Sequence, residues 1–102
     1  NILDKYIVKL YTQAYKDLNG IYTYISDNLS EPSTALKIID GLENKIFSLE
    51  TFPERGAIRH IGTYANQGYR QLFYKNYTII YHVLKEKKEV HIVTVRYTPS
   101  NF

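Results

Sequence analysis

Residues 68–102, GYRQLFYKNYTIIYHVLKEKKEVHIVTVRYTPSNF, decide the fold. Three runs within them are rich in β-branched and aromatic side chains that alternate with polar ones, a composition suited to a pleated, half-buried surface. Residues 69–75 break at Asn76, residues 77–84 break at the charged run 85–88, and residues 89–97 stop before Thr98-Pro99. Connections this short join antiparallel neighbours, so the spacing predicts a three-stranded antiparallel meander. No other stretch is patterned so clearly, and the rest of the chain reads as a frame around this sheet.

Working outward, residues 5–11 (KYIVKLY) alternate and predict a short first strand. Thr12 is placed to cap a helix with its hydroxyl. From residue 13 to residue 29, Ala14, Leu18, Ile21, Tyr22, Ile25 and Leu29 fall on one helical stripe. Pro32 suits the first turn of a second helix, whose stripe is Ala35, Ile39, Leu42, Ile46 and Leu49. The link between the two is short enough to make them an antiparallel hairpin. Gly20 and Gly41 each cost a helix about 1 kcal/mol relative to Ala, and close approach of the two helix backbones is the expected reason. Residues 53–68 have no sustained period, and a connection of that length is usually functional or mobile. Within it, residues 57–61 read as a short extended piece along the sheet edge. The expected fold is α+β: an N-terminal strand, an antiparallel helical hairpin, then the meander, with the hairpin on one face of a small sheet. The first strand should lie beside the last one, and the sequence leaves open whether that position is central or at an edge.

At 102 residues the chain forms one domain, residues 1–102, with room for a modest core. It contains no Cys, which excludes disulfides and thiolate metal sites and suits a reducing cytoplasm. It also contains no Met, so the initiating residue is expected to have been lost. No long apolar run is present, and neither a secretion signal nor a membrane helix is expected. The net charge is only +3, but it is unevenly spread. Residues 1–51 carry five Lys against seven Asp or Glu, a net of −2, while residues 52–102 carry eight Lys or Arg against three Glu, a net of +5. A basic C-terminal half points to an acidic partner, nucleic acid or protein, or else to a solvated basic face.

Arg70 and Arg96 lie on different strands in otherwise apolar or aromatic runs, where an unpaired charge is expensive. On one face they would form a bidentate site for a carboxylate or phosphate, with Tyr74 and Tyr97 beside them. The competing reading pairs each with a local acid, Glu54 or Glu89. Arg55, Arg59 and His60 form a basic loop cluster that could take a phosphate, or simply face solvent or a partner. His82 and His91, on the second and third strands, are candidate general bases or plain cross-strand histidines. Three scattered histidines lack a ligand spacing, so no metal is expected, and nothing calls for a cofactor. Eleven tyrosines are many for this length. Tyr15, Tyr22 and Tyr24 cluster on the first helix, where large rings with one hydroxyl suit a protein interface.

The C-terminal string resembles the signature of the RelE/ParE superfamily of bacterial toxins. The matching residues are Tyr77, Ile79, Ile80, Tyr81, Val83, Val90, Ile92, Val95 and Arg96, and LETFPERG at residues 49–56 resembles the corner after the second helix in ParE-like members. The resemblance implies a toxin of a type II toxin–antitoxin system, held inactive by a tightly bound antitoxin. It further implies one of two activities: RelE-like members cut mRNA in the ribosomal A site, and ParE-like members poison DNA gyrase without hydrolysis. RelE-like nucleases carry an Arg where this chain has Thr78, and proton-transfer groups where it has Thr98 and Pro99. Thr and Pro supply neither a cation nor a proton near neutral pH. The residues therefore favour a ParE-like gyrase poison, with Arg70, Tyr74, Arg96 and Tyr97 as target contacts. The alternative is an mRNA endoribonuclease using His82, His91, Arg70 and Arg96. The implied antitoxin is acidic, amphipathic and partly disordered, has its own DNA-binding domain, and folds across Tyr15, Tyr22 and Tyr24.

Overall fold

A computed structural model describes residues 4–99. The meander stands where the pattern places it: β3 (Arg70–Tyr74), β4 (Tyr77–Leu84) and β5 (Glu89–Tyr97) pair antiparallel. Strand β1 (Ile7–Leu10) adds to β5 in parallel, and the two-residue β2 (Ala57–Ile58) adds antiparallel to β3. The sheet order is β1-β5-β4-β3-β2, so the first strand is an edge strand. Parallel pairing of β1 with β5 is possible because the helical hairpin, α1 (Thr12–Thr23) and α2 (Pro32–Phe47), carries the chain back across one face. The core lies between that hairpin and the sheet: Ala14, Leu18, Leu42, Ile46 and Leu49 meet Ile79, Tyr81, Val90, Ile92 and Val95.

Three local expectations change. Thr12 is not a cap; it is the first helical residue, after Tyr11 in extended conformation, and no side chain caps this end. The first helix does not run regularly to residue 29. From Tyr24 to Asn28 it widens into a π turn, closed by Leu29 N–H donating to the Tyr24 carbonyl at 3.1 Å. The extra residue per turn swings Leu29 off the stripe, leaving it exposed while Ile25 stays buried. Nor do the glycines bring the two helices together. A Cβ on Gly41 would sit 1.9 Å from the Tyr74 hydroxyl of β3, so Gly41 is the notch that admits that ring, whereas a Cβ on Gly20 would meet nothing within 4 Å.

The 53–68 connection is built, not slack. Tyr81 is fully buried on β4 and reaches into its first corner. Its hydroxyl donates to the Pro53 carbonyl at 2.7 Å and accepts from the Gly56 N–H at 3.0 Å. Burial, ahead of every other influence, raises the Tyr81 phenol above its ordinary pKa, so it remains a donor. Farther along, Arg59 latches the loop. Its N–H donates to the Tyr69 carbonyl at 2.8 Å, its carbonyl accepts from Asn66 N–H at 2.9 Å, and its guanidinium donates to the Thr63 carbonyl at 2.6 Å and to Gln71 Oε1 at 2.8 Å. The loop returns over the sheet face opposite the helices, where Tyr64 meets Tyr69 edge-on and Tyr69 packs tilted against His82.

Three substitutions test these contacts. Tyr81→Phe leaves the buried Gly56 N–H and Pro53 carbonyl without a partner and should lower the unfolding free energy by about 1–3 kcal/mol in a urea titration. Gly41→Ala should destabilise by about 1–3 kcal/mol because the Tyr74 ring must move. Gly20→Ala, in open space within a helix, should instead stabilise by about 0.5–1 kcal/mol. Equal effects at the two glycines would remove the notch explanation.

Candidate functional site

Two apolar grooves flank α1. The larger, of about 770 Å³, runs between the end of α1, the π turn and the start of α2 on one side and the β3–β4 turn and the end of β5 on the other. Tyr24, Ile25, Leu29, Ile38 and Tyr97 line it, with Lys16 and Lys75 among the residues of its walls. Tyr24, Leu29 and Tyr97 are each more than half exposed, at 56 %, 51 % and 62 %. Large apolar side chains that stay this exposed around one concave surface suit contact with another molecule. The bare Gly20 keeps this groove open, since nothing lies within 4 Å of where its Cβ would be. The second groove, of about 320 Å³, lies between α1 and α2, where Tyr15, Tyr22, Ile39 and Phe47 line it. The three tyrosines singled out on the first helix therefore divide: Tyr15 and Tyr22 belong to the smaller groove and Tyr24 to the larger.

The arginines do not converge. Arg70 stands opposite Tyr81 and Arg96 opposite Thr78. Positions 78 and 81 of one strand differ by an odd number, so the two arginines are on opposite faces of the sheet. The expected shared bidentate site does not form. The Arg70 guanidinium donates to the carbonyls of Glu54 at 3.0 Å and Gly56 at 2.8 Å, with the Glu54 carboxylate 3.9 Å away. It ties the 53–56 corner to the sheet. Tyr74 points into the Gly41 notch. Arg96 is exposed on the outer face, its guanidinium 6.0 Å from the centre of the Tyr64 ring. Tyr97 packs tilted on Tyr77, their ring centres 5.5 Å apart.

The basic loop cluster is likewise occupied by its own chain. Arg55 donates to the Thr51 carbonyl at 3.0 Å and to the Ser48 side chain, closing the end of the second helix. Arg59 is the loop latch, and His60 holds Asn66 Oδ1 at 3.0 Å. Loop carbonyls at sharp turns need donors, and a guanidinium supplies five in one plane. The spacing of these arginines around Pro53 and three glycines was the available signal for that role.

On the outer face, Thr78 is nearly fully buried and its hydroxyl is bonded to that of Thr98 at 2.5 Å. His82 and His91 are directly opposed on β4 and β5. His82 packs tilted against Tyr69, while His91 contacts Glu89 at 2.8 Å and Tyr11 at 3.1 Å. Thr78 and His82 are four positions apart on one strand, so Arg96 lies roughly 13 Å from the histidine pair at strand rise. No group of three potential metal-ligating side chains gathers among the described residues, and no helix there is long and apolar enough to cross a membrane. The lining of the larger groove, drawn from five parts of the fold, and the approach of Tyr64 to Arg96, which only the latched loop makes, leave no signal in the sequence.

The family model described as the ParE toxin of the type II toxin–antitoxin system parDE matches residues 8–102. No curated protein matches the chain. Among solved structures, it is similar to a chain from the chromosomal ParDE toxin–antitoxin system of P. aeruginosa, at 23 % identity over 93 % of this chain and 98 % of that one, with a TM-score of 0.74. It is also similar to a chain of the RelBE2 toxin–antitoxin complex of Mycobacterium tuberculosis, at 21 % identity over 91 % and 98 % of the two chains and a TM-score of 0.66. The E. coli toxin RelE in the free state, an arginine-to-alanine mutant, has 16 % identity over 89 % of this chain and 81 % of that one, with a TM-score of 0.59. At these identities the solved structures speak to the fold, while the family match spans nearly the whole sequence. The chain belongs to the ParE toxin family of type II toxin–antitoxin systems.

Proposed function

We propose that this toxin arrests growth in the cytoplasm by binding and poisoning DNA gyrase, not by cutting RNA. The observation that carries this reading is the Thr78–Thr98 hydroxyl pair on the row of Arg96, where a ribosome-dependent nuclease needs a cation and a proton donor. An in-line cleavage site gathers its base, acid and cation within hydrogen-bond reach of one phosphate. Here the histidine pair is about 13 Å along the strand from Arg96, and Arg70 is on the other face. The alternative set of His82, His91, Arg70 and Arg96 does not meet that requirement as folded.

The target surface in this reading is the outer face at the end of β5, where Arg96 is widened by Tyr64 and by the exposed Phe73 of the same cross-strand row, with Tyr97 bordering it from the opposite face of the strand end. Arg70 and Tyr74 support it from beneath by fixing the corner and β3. Purified chain should inhibit gyrase supercoiling and leave ribosome-bound mRNA intact. Cleaved mRNA with unaffected supercoiling would reverse the assignment.

The neutralising partner is a cognate antitoxin, as the toxin–antitoxin systems named for the similar structures suggest. An amphipathic segment, disordered when free and joined to a separate DNA-binding domain, suits the two apolar grooves, and acidic residues on it suit Lys16 and Lys75 in the walls of the larger one. Tyr15, Tyr22 and Tyr24 are its anchors. Tyr15→Ala or Tyr24→Ala should each weaken antitoxin binding roughly tenfold or more by calorimetry. Unchanged affinity in both would move the antitoxin off the α1 surface.

A further inference from the structure

At the β1 edge of the sheet, four side chains form one hydrogen-bonded line that the proposed gyrase and antitoxin surfaces do not use. Lys9 Nζ lies 2.9 Å from Glu89 Oε2, the other carboxylate oxygen lies 2.8 Å from His91 Nε2, and His91 Nδ1 lies 3.1 Å from the Tyr11 hydroxyl. The polarity of the line is fixed by elementary bonding. An ionised carboxylate only accepts, so His91 must donate from Nε2. Lys9 first, and then His91, hold the Glu89 carboxyl below the usual carboxylate range, which keeps it ionised. In the neutral imidazole Nδ1 then carries the lone pair, and the Tyr11 O–H must donate to it.

That is the arrangement by which a carboxylate orients an imidazole and the imidazole removes a proton from a hydroxyl nucleophile. The nucleophile end is open: Tyr11 is 45 % exposed, while His91 and Glu89 are largely sheltered beneath it, each with side-chain exposure of 17 %. We propose that Tyr11 is a nucleophilic tyrosine, primed by His91 and oriented through Glu89, and that it is a modification site for an activated phosphoryl donor. In the step, the Tyr11 oxygen forms a bond to phosphorus, the donor's leaving group departs with the electron pair of the broken bond, and the phenolic proton passes to His91 Nδ1.

The chain contains its own controls. Tyr15, Tyr24 and Tyr97 are more exposed than Tyr11, at 61 %, 56 % and 62 %, and none is bonded to an imidazole among the described residues. Treatment of the folded protein with a dialkyl fluorophosphate, followed by peptide mass spectrometry, reads the phosphorylation rate at each tyrosine. Tyr11 should react about tenfold or more faster than the three controls. His91→Gln should bring Tyr11 to the rate of the controls, and Glu89→Gln should slow it partially, both with an unchanged circular dichroism spectrum. If Tyr11 in the unaltered protein reacts no faster than Tyr15, Tyr24 and Tyr97, the proposal is overturned without recourse to any variant. It is also overturned if folded His91→Gln keeps the fast rate.

Discussion

Strand β5 has two different neighbours along one side, and the rest of the architecture depends on how they share it. Over its first half it pairs with β1, from Ile7 opposite Glu89 to Leu10 opposite Ile92. There β1 ends, with Tyr11 N–H still donating to the Ile92 carbonyl at 2.9 Å, and the chain turns into α1. A bulge at Val93 then turns Thr94 towards the helix, where one carboxylate oxygen of Asp17 accepts both its hydroxyl and the Val95 N–H. The other oxygen is held by Gln13 at 2.8 Å. Hydrogen bonds to a charged acceptor contribute about 1.5–3 kcal/mol, more than a neutral ladder bond, and a bare strand edge would invite other chains. A side chain on a helix thus finishes the sheet where a strand stops, and it sets the spacing between α1 and β5 that opens the larger groove.

The meander, the helical hairpin and the position of β1 beside β5 were legible because each is written in local periodicity, period two for strands and about 3.6 for helices. What the pattern could not carry was any contact between elements. Gly41 looks the same in the sequence whether it faces a helix or receives Tyr74. Tyr81 reads as one more apolar position in a strand, yet its hydroxyl organises a corner 25 to 28 residues upstream. The π turn at Tyr24–Asn28 has no signature in residue type, and it moved Leu29 from the buried stripe to a groove wall. For the site, the arginines were correctly singled out as unusual and wrongly placed together. Strand parity separates Arg70 from Arg96 once the register is known, and the register cannot be counted from the sequence alone.

Three of the four arginines serve the fold. Arg55, Arg59 and Arg70 each reach backbone carbonyls around residues 48–63, a region with little regular structure to satisfy its own polar groups. Guanidinium groups, each donating several hydrogen bonds, substitute there for the missing ladder bonds. The net positive charge of the C-terminal half is therefore partly architectural. Of the four, only Arg96 extends freely from the sheet, its guanidinium 6.0 Å from the centre of the Tyr64 ring.

The parallel pairing of β1 with β5 also has a consequence in time. Lys9 and Glu89 stand side by side but are 80 residues apart in the chain. During synthesis the first strand and both helices emerge with no sheet to pack on, and the apolar faces of Leu42, Ile46 and Leu49 stay uncovered until the meander follows. Closing so long a loop is slow, because its entropy is lost before the contact forms. The edge of β5 cannot be finished until that strand has cleared the ribosome. The groove between α1 and the end of β5 therefore takes shape only when that strand docks.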